Sequence, residues 1–127
     1  MQHGSQYDYL TLEELEELVD GFKGKVGFVR IDGNCPVDKD GKLGDTRRLE
    51  KSADYTITPL LEKGAKLLIA THQGRVGHHD FISTRQHAEF LTNYTGKPIH
   101  YVDTFFGEYL DRRLATLKDG EALMLMN

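Results

Sequence analysis

Short continuous apolar runs alternate along this chain with longer segments in which apolar residues recur every three or four positions. The runs predict buried strands, and they occupy residues 25–31, 66–70, 98–102 and 121–126. The first run, KVGFVRI, predicts a core strand despite Gly27. The second run, KLLIA, is followed at once by polar residues, so it predicts a buried strand that opens into a functional loop.

The periodic segments predict helices at about residues 12–19, 48–63, 83–96 and 105–117. Thr11 with Glu14, and Ser83 with Gln86, have the spacing of a capping box at a helix start. Pro59 lies inside the second helix and should kink it or mark its true beginning. The last helix is predicted from an apolar stripe: Phe106, Leu110, Leu114 and Leu117.

After the first short helix, the predicted elements alternate as strand, helix, strand, helix, strand, helix and strand. This order predicts an α/β fold with an open parallel β-sheet, right-handed crossovers and helices on both faces, a Rossmann-like three-layer arrangement. Ligands of such sheets bind beyond the carboxyl ends of the strands. The chain stops at the carboxyl end of its fourth predicted strand, so the pattern predicts an incomplete domain.

Composition and charge narrow the possible functions. The 127 residues suffice for one domain, and 39% apolar with 28% charged residues are typical of a soluble globular protein. A net charge of −4 with dispersed lysines and arginines argues against nucleic-acid binding. No apolar run approaches the roughly 20 residues of a membrane span, and the polar N-terminus lacks a signal core. With a single cysteine, we expect a cytoplasmic location without membrane association.

Polar residues follow the first two predicted strands. Asp32 and Asn34 follow the first strand, and His72 and Arg75 follow the second. If these strands are neighbours, the two loops lie side by side and could hold a small polar anion: arginine binds phosphate or carboxylate, histidine donates, and aspartate and asparagine bind a hydroxyl. The alternative is that Asp32 and Asn34 make turn hydrogen bonds while Arg75 and His72 are simply solvated.

Other candidate motifs are weaker. The chain contains no glycine-rich phosphate-binding motif, so it predicts no nucleotide site of its own. His78, His79 and Asp80 are adjacent rather than spaced as metal ligands usually are, and residues 37–45 lack the glutamate of a calcium loop, so no metal site is predicted. Cys35 is expected to be a small packing residue.

The segments around the two polar loops resemble phosphoglycerate kinases. RIDGNCP at residues 30–36 is similar to the family motif RVDFNVP and to the archaeal RVDINSP. THQGR at residues 71–75 is similar to SHLGRP and still more to the archaeal AHQGRPG. DFISTRQHAEFL at residues 80–91 resembles the archaeal DFTSLEQHAKIL. LLEKGAKLLIA at residues 60–70 and LKDGEALMLMN at residues 117–127 match LLEKGAKV and the segment before LLLEN.

The resemblance implies a domain organisation and an activity. Residues 1–24 would be an N-terminal extension with a short helix, and residues 25–127 would be an incomplete N-terminal lobe that binds 3-phosphoglycerate. The parent enzyme would transfer a phosphoryl group between ATP and the carboxylate of 3-phosphoglycerate, in glycolysis and gluconeogenesis. Mg-ATP or Mg-ADP would bind to a C-terminal domain that this chain lacks. No cofactor is therefore expected in this chain, which alone should be inactive and bind 3-phosphoglycerate weakly.

The resemblance also implies roles for the loop residues. Asp32 and Asn34 would contact the hydroxyl region of 3-phosphoglycerate. His72 and Arg75 would belong to the basic patch that holds the substrate.

One arginine is implied to act in catalysis. The family motif DDTRI contains an arginine that contacts the substrate carboxylate and stabilises the transferring phosphoryl group. Counting without gaps from Asp32 places this arginine at Arg48, whereas a deletion in the loop would place it at Arg47. Gly33 and Val76 replace a bulky residue and a proline of the family, which leaves the rigidity of both loops open.

A different hypothesis is a non-catalytic fragment or binding module that retains the fold. A terminal carboxylate at Asn127 would oppose anion binding. An exposed sheet edge would favour self-association.

Overall fold

Four strands form one sheet in the computed structural model, which describes residues 9–127. The first eight residues of the predicted N-terminal extension lie outside the described residues. The strands are β1 (Val26–Arg30), β2 (Lys66–Ala70), β3 (Ile99–Tyr101) and β4 (Ala122–Met124). All neighbours pair in parallel, in the order β1-β2-β4-β3. The predicted open parallel sheet is therefore confirmed.

Helices connect the strands of this sheet. They are α1 (Leu12–Leu18), α2 (Arg47–Ser52), α3 (Thr58–Glu62), α4 (Arg85–Thr95) and α5 (Glu108–Ala115). A π-helical turn, Ala53–Ile57, joins α2 to α3, and Pro59 lies in the first turn of α3. Proline cannot donate the backbone hydrogen bond of a helix interior, and such wide turns commonly accommodate the interruption. Within residues 9–127, no helix is long and apolar enough to cross a membrane.

Helices cover both faces of the sheet, as predicted. Successive side chains of a strand point to opposite faces, so Leu67 and Leu68 enter different clusters. The larger cluster joins the sheet to α2, α3, α4 and the π-helical turn through Leu49, Ile57, Leu61 and Leu91. The smaller cluster joins the other face to the α5 region through Leu110 and Leu117. These clusters hold the strand ends at fixed positions.

The prediction that β1 is a core strand is wrong. It pairs with β2 alone among the described strands and lies at an edge of the sheet. Val29 packs on the larger cluster, but Val26 is 53% exposed and Phe28 is 66% exposed. The smaller cluster contains no residue of β1 within the described part of the chain, so this face of β1 is open.

The predicted capping box at the start of α4 is also wrong. Thr84 takes the N-cap position, and its hydroxyl donates to the Leu125 carbonyl oxygen at 2.7 Å. The Gln86 side chain accepts from the backbone N–H of Leu43 instead of returning to Ser83. Ser83 keeps one local bond, because its Oγ accepts from the Arg85 N–H at 3.0 Å, but the reciprocal bond of a capping box is absent. By contrast, the capping box of Thr11 and Glu14 is present.

The fifth helix is shorter than predicted. It begins at Glu108, because Gly107 at its start has φ of 101°, a left-handed conformation that glycine adopts readily. Phe106 therefore lies outside the helix and is 71% exposed, whereas Leu110 and Leu117 are buried as the stripe predicts.

Candidate functional site

The carboxyl ends of β1 and β2 lie side by side. Arg30 pairs with Ala70 in the sheet, and the Ile31 N–H donates to the Ala70 carbonyl oxygen at 2.9 Å. The chain leaves both strands at the same edge, so residues 32–36 and 71–75 form adjacent loops. The neighbouring strands on which the sequence interpretation depends are therefore present.

Hydrogen bonds join these two loops directly. The Gly33 N–H donates to Thr71 Oγ1 at 2.8 Å, and the Gly74 N–H donates to Asn34 Oδ1 at 2.7 Å. The Oδ1 atom of Asn34 thus makes a structural hydrogen bond. The Nδ2 group of this half-buried side chain makes no bond within the described residues, so it could donate to a ligand. This bond joins two loops that are 40 residues apart in sequence, so it differs from the local turn bond that was the alternative expectation.

Gln73 is the residue that the sequence interpretation missed. Its side chain is fully buried. Oε1 accepts from the Cys35 N–H and from His87 Nε2, both at 2.9 Å. Nε2 donates to the Cys35 carbonyl oxygen at 2.9 Å and to the Asp80 carbonyl oxygen at 3.0 Å. Burial lowers the pKa of His87 to about 4, so the imidazole is neutral at pH 7.

Two glycines allow the loops to approach closely. A Cβ atom at Gly33 would lie 2.8 Å from Thr71 Oγ1 and 2.9 Å from Leu49 Cδ2. Gly74 has φ of 70°, and a Cβ atom there would overlap the backbone of Asp80. Gly33, which replaces a bulky family residue, therefore belongs to a tightly packed loop.

The two candidate arginines have different partners. Arg48 Nη1 lies 3.4 Å from Asp32 Oδ1, and both side chains are largely exposed. Arg47 instead donates through Nε to both carboxylate oxygens of Asp45, at 3.0 and 2.9 Å. This hydrogen bonding lowers the pKa of Asp45 to about 2. Arg48 therefore contacts the first polar loop, whereas Arg47 is paired with Asp45 just before the start of α2.

The polar side chains border hollows that share Asn34. His72 and Arg75 line one of about 370 Å³ together with Asn34. Arg48 and Lys51 line another of about 620 Å³, also with Asn34. Lys51 was not predicted, although its position one turn after Arg48 on α2 could have suggested it. An anion near Asn34 would thus meet cationic groups from the loop after β2 and from α2, where Arg47 also lines the larger hollow.

Other candidate groups do not form a second centre. Within residues 9–127, no three potential metal ligands from histidine, cysteine, aspartate and glutamate come together. Near His78 and His79, the Asp80 carboxylate instead accepts from the Arg75 N–H at 3.3 Å. Burial raises the pKa of the Cys35 thiol to about 11, so it is protonated and packs in the core.

Comparisons with known proteins identify the family of this chain. The sequence model of the family described as phosphoglycerate kinase matches residues 15–127. The phosphoglycerate kinase of Thermococcus onnurineus is 45% identical over 106 residues, which are 84% of this chain and 25% of that protein. That of Thermococcus kodakarensis is 42% identical with the same coverage. The chain thus spans about a quarter of the length of these curated relatives.

Solved structures give the same result. The crystal structure of phosphoglycerate kinase from Pyrococcus horikoshii superimposes with a TM-score of 0.78 at 37% identity, over 87% of this chain and 27% of that one. Phosphoglycerate kinase from Coxiella burnetii, with a TM-score of 0.66 at 20% identity over 84% of this chain and 26% of that one, shares the fold. Since the family model covers most of its length, the chain belongs to the phosphoglycerate kinase family and forms part of a Rossmann-like domain.

Proposed function

We propose that this chain supplies the 3-phosphoglycerate-binding part of a cytoplasmic phosphoglycerate kinase. The observation that carries the proposal is the hydrogen bond between Asn34 and Gly74, which joins two polar loops at the carboxyl edge of the sheet. Arg48 and Arg75 line hollows that share Asn34. The ligand carries a phosphate, a hydroxyl and a carboxylate, so two cationic flanks around an amide complement its groups.

Each predicted site residue has a role in this proposal. Arg75 and His72 hold the anionic substrate, while Asp32 and Asn34 bind its hydroxyl region. Arg48 contacts the carboxylate that accepts the phosphoryl group and offsets the charge that develops during transfer. Its contact with Asp32 is long and exposed, so the guanidinium is free to turn toward a bound anion. Arg48 is favoured over Arg47 because it contacts Asp32 of the first polar loop, whereas Arg47 is paired with Asp45, although both arginines line the same hollow.

The nucleotide is assigned to the remainder of the parent enzyme. Mg-ATP or Mg-ADP would supply or accept the phosphoryl group there. The described residues group no three potential metal ligands, and the loops at the sheet edge lack a glycine-rich phosphate motif. These residues do not fit the nucleotide, and no step involving it is assigned to them. We therefore expect this chain alone to be catalytically inactive.

A titration of the ¹⁵N-labelled chain with 3-phosphoglycerate tests the binding proposal. We expect saturable NMR shift changes at Asn34, His72 and Gly74, with an affinity weaker than micromolar. Arg48→Ala should weaken binding about tenfold, because a charge-assisted hydrogen bond contributes about 1.5–3 kcal/mol. Arg112→Ala is the matched control, since the Arg112 side chain is exposed on α5 and, among the described residues, pairs only with Glu108, at 4.0 Å.

Two outcomes would contradict this assignment. The absence of any response at the loops would favour a non-catalytic module that retains the fold. Turnover by the purified chain in a coupled kinase assay would contradict its expected inactivity.

A further inference from the structure

A buried network lies directly beneath the proposed anion site. At its centre, both Gln73 side-chain atoms use their full hydrogen-bonding capacity, because Oε1 accepts two bonds and Nε2 donates two. The Cys35 N–H requires an acceptor, so the orientation of the Gln73 amide is fixed. His87 must then donate through Nε2, which selects one neutral tautomer. This arrangement satisfies the whole Gln73 amide and leaves the buried His87 Nδ1 without a hydrogen-bond partner among the described residues.

Asn127 extends this network from the end of β4. Its Nδ2 donates to the carbonyl oxygens of Gln73 and Ile82, each at 2.8 Å. Its Oδ1 accepts from the Gln73 N–H at 3.1 Å. Gln73 is therefore held through its side chain by the loop after β1 and through its backbone by the segment after β4.

We propose that Gln73 and Asn127 are positioning residues of the anion site. Gln73 is fully buried, so it acts through the backbone that it binds rather than by touching a ligand. Its side chain forms hydrogen bonds with the backbone of Cys35, the neighbour of Asn34, and its own backbone lies between His72 and Gly74. The pair thereby sets the distance between the two polar loops, and Asn34 reaches the Gly74 N–H only at that distance.

The inference rests on the proposed function for the identity of the ligand, but its geometric part is independent of any ligand. If the network sets the loop distance, its loss should loosen the bond between Gly74 and Asn34 while leaving the sheet intact. Substitution of a residue that stabilises only the fold as a whole would instead raise the hydrogen-exchange rates of all amides together.

Neutral substitutions test this without adding charge near the anion. Asn127→Ala removes three bonds at the rim of the network, and Gln73→Met, of similar length, removes the central four. Gln86→Met is the matched control, because Gln86 on α4 also has a part-buried side-chain amide, which binds Gly41 and Leu43 outside the site. Should Gln73→Met fail to fold, Asn127→Ala decides the question.

The first measurement is the ratio of the hydrogen-exchange rate of the Gly74 amide to that of the Ile69 amide within β2. We expect this ratio to rise about tenfold in Asn127→Ala and Gln73→Met and to stay unchanged in Gln86→Met. An unchanged ratio in the folded variants overturns the proposal. The second measurement is 3-phosphoglycerate affinity, which should fall about tenfold in both variants but not in the control. If the unsubstituted chain does not respond to 3-phosphoglycerate, the proposed function fails while the exchange ratio still decides the positioning role.

Discussion

The burial of His87 makes the stability of the fold depend on pH. Its side chain is fully buried, and burial lowers its pKa from 6.5 to about 4. Below pH 6.5 the unfolded chain therefore binds a proton that the folded chain excludes until about pH 4. The free energy of unfolding should fall across this window and lose about 3 kcal/mol in total.

His87→Gln isolates this contribution, because glutamine can donate to Gln73 Oε1 but does not titrate. We expect the difference in unfolding free energy between the two proteins to change by about 3 kcal/mol between pH 6.5 and pH 4. Urea denaturation at several pH values measures it, and carboxylate titration cancels in the difference. Parallel pH profiles for the two proteins would show that the burial of His87 has no such effect.

At the residue scale, a local sequence pattern suggests candidate site residues in loops but does not reveal buried amides. Asp32, Asn34 and His72 could be proposed as site residues because each follows an apolar strand run. Gln73 and Asn127 could not, since a buried amide is recognised by partners that lie far away in sequence. Gln73 binds Cys35, 38 residues earlier, and Asn127, 54 residues later. No local pattern contains such pairs.

At the scale of the elements, the effect of a glycine substitution in the loop after β2 depends on the space around that glycine. Gly74 and Gly77 both have positive φ, at 70° and 86°, but a Cβ atom would overlap the Asp80 backbone only at Gly74. Gly77→Ala should therefore cost about 1–2 kcal/mol of unfolding free energy from backbone strain. Gly74→Ala should cost about 1–3 kcal/mol more, because backbone must move. Chemical denaturation compares the two variants, and equal losses would refute the role of close packing.

The elements also show where sequence prediction reaches its limit. KLLIA predicts β2 with its observed bounds, because an apolar run bordered by turn residues identifies a strand locally. The edge position of β1 could not be predicted, since the pairing order β1-β2-β4-β3 is decided by crossovers rather than by the composition of one strand. The start of α4 was missed because Thr84 bonds to Leu125, which lies 41 residues later in the segment after β4.

For the whole molecule, one consequence of the sheet order concerns association. β1 lies at an edge, and Val26 and Phe28 are exposed on its open face. An edge strand presents unpaired backbone groups, and an adjoining apolar surface favours contact with a second chain. This surface is separate from the polar loops at the carboxyl edge, so a loss of association need not change anion binding.

We therefore expect concentration-dependent self-association, measured by sedimentation velocity, that Phe28→Thr reduces. Threonine suits a strand, so the variant should keep β1 while removing most of its exposed apolar area. Tyr55→Thr is the control, because Tyr55 is 75% exposed and lies on the π-helical turn rather than on β1. A monomer at all concentrations would refute the expectation. Equal effects of the two substitutions would show that general surface hydrophobicity, rather than the open face of β1, governs association.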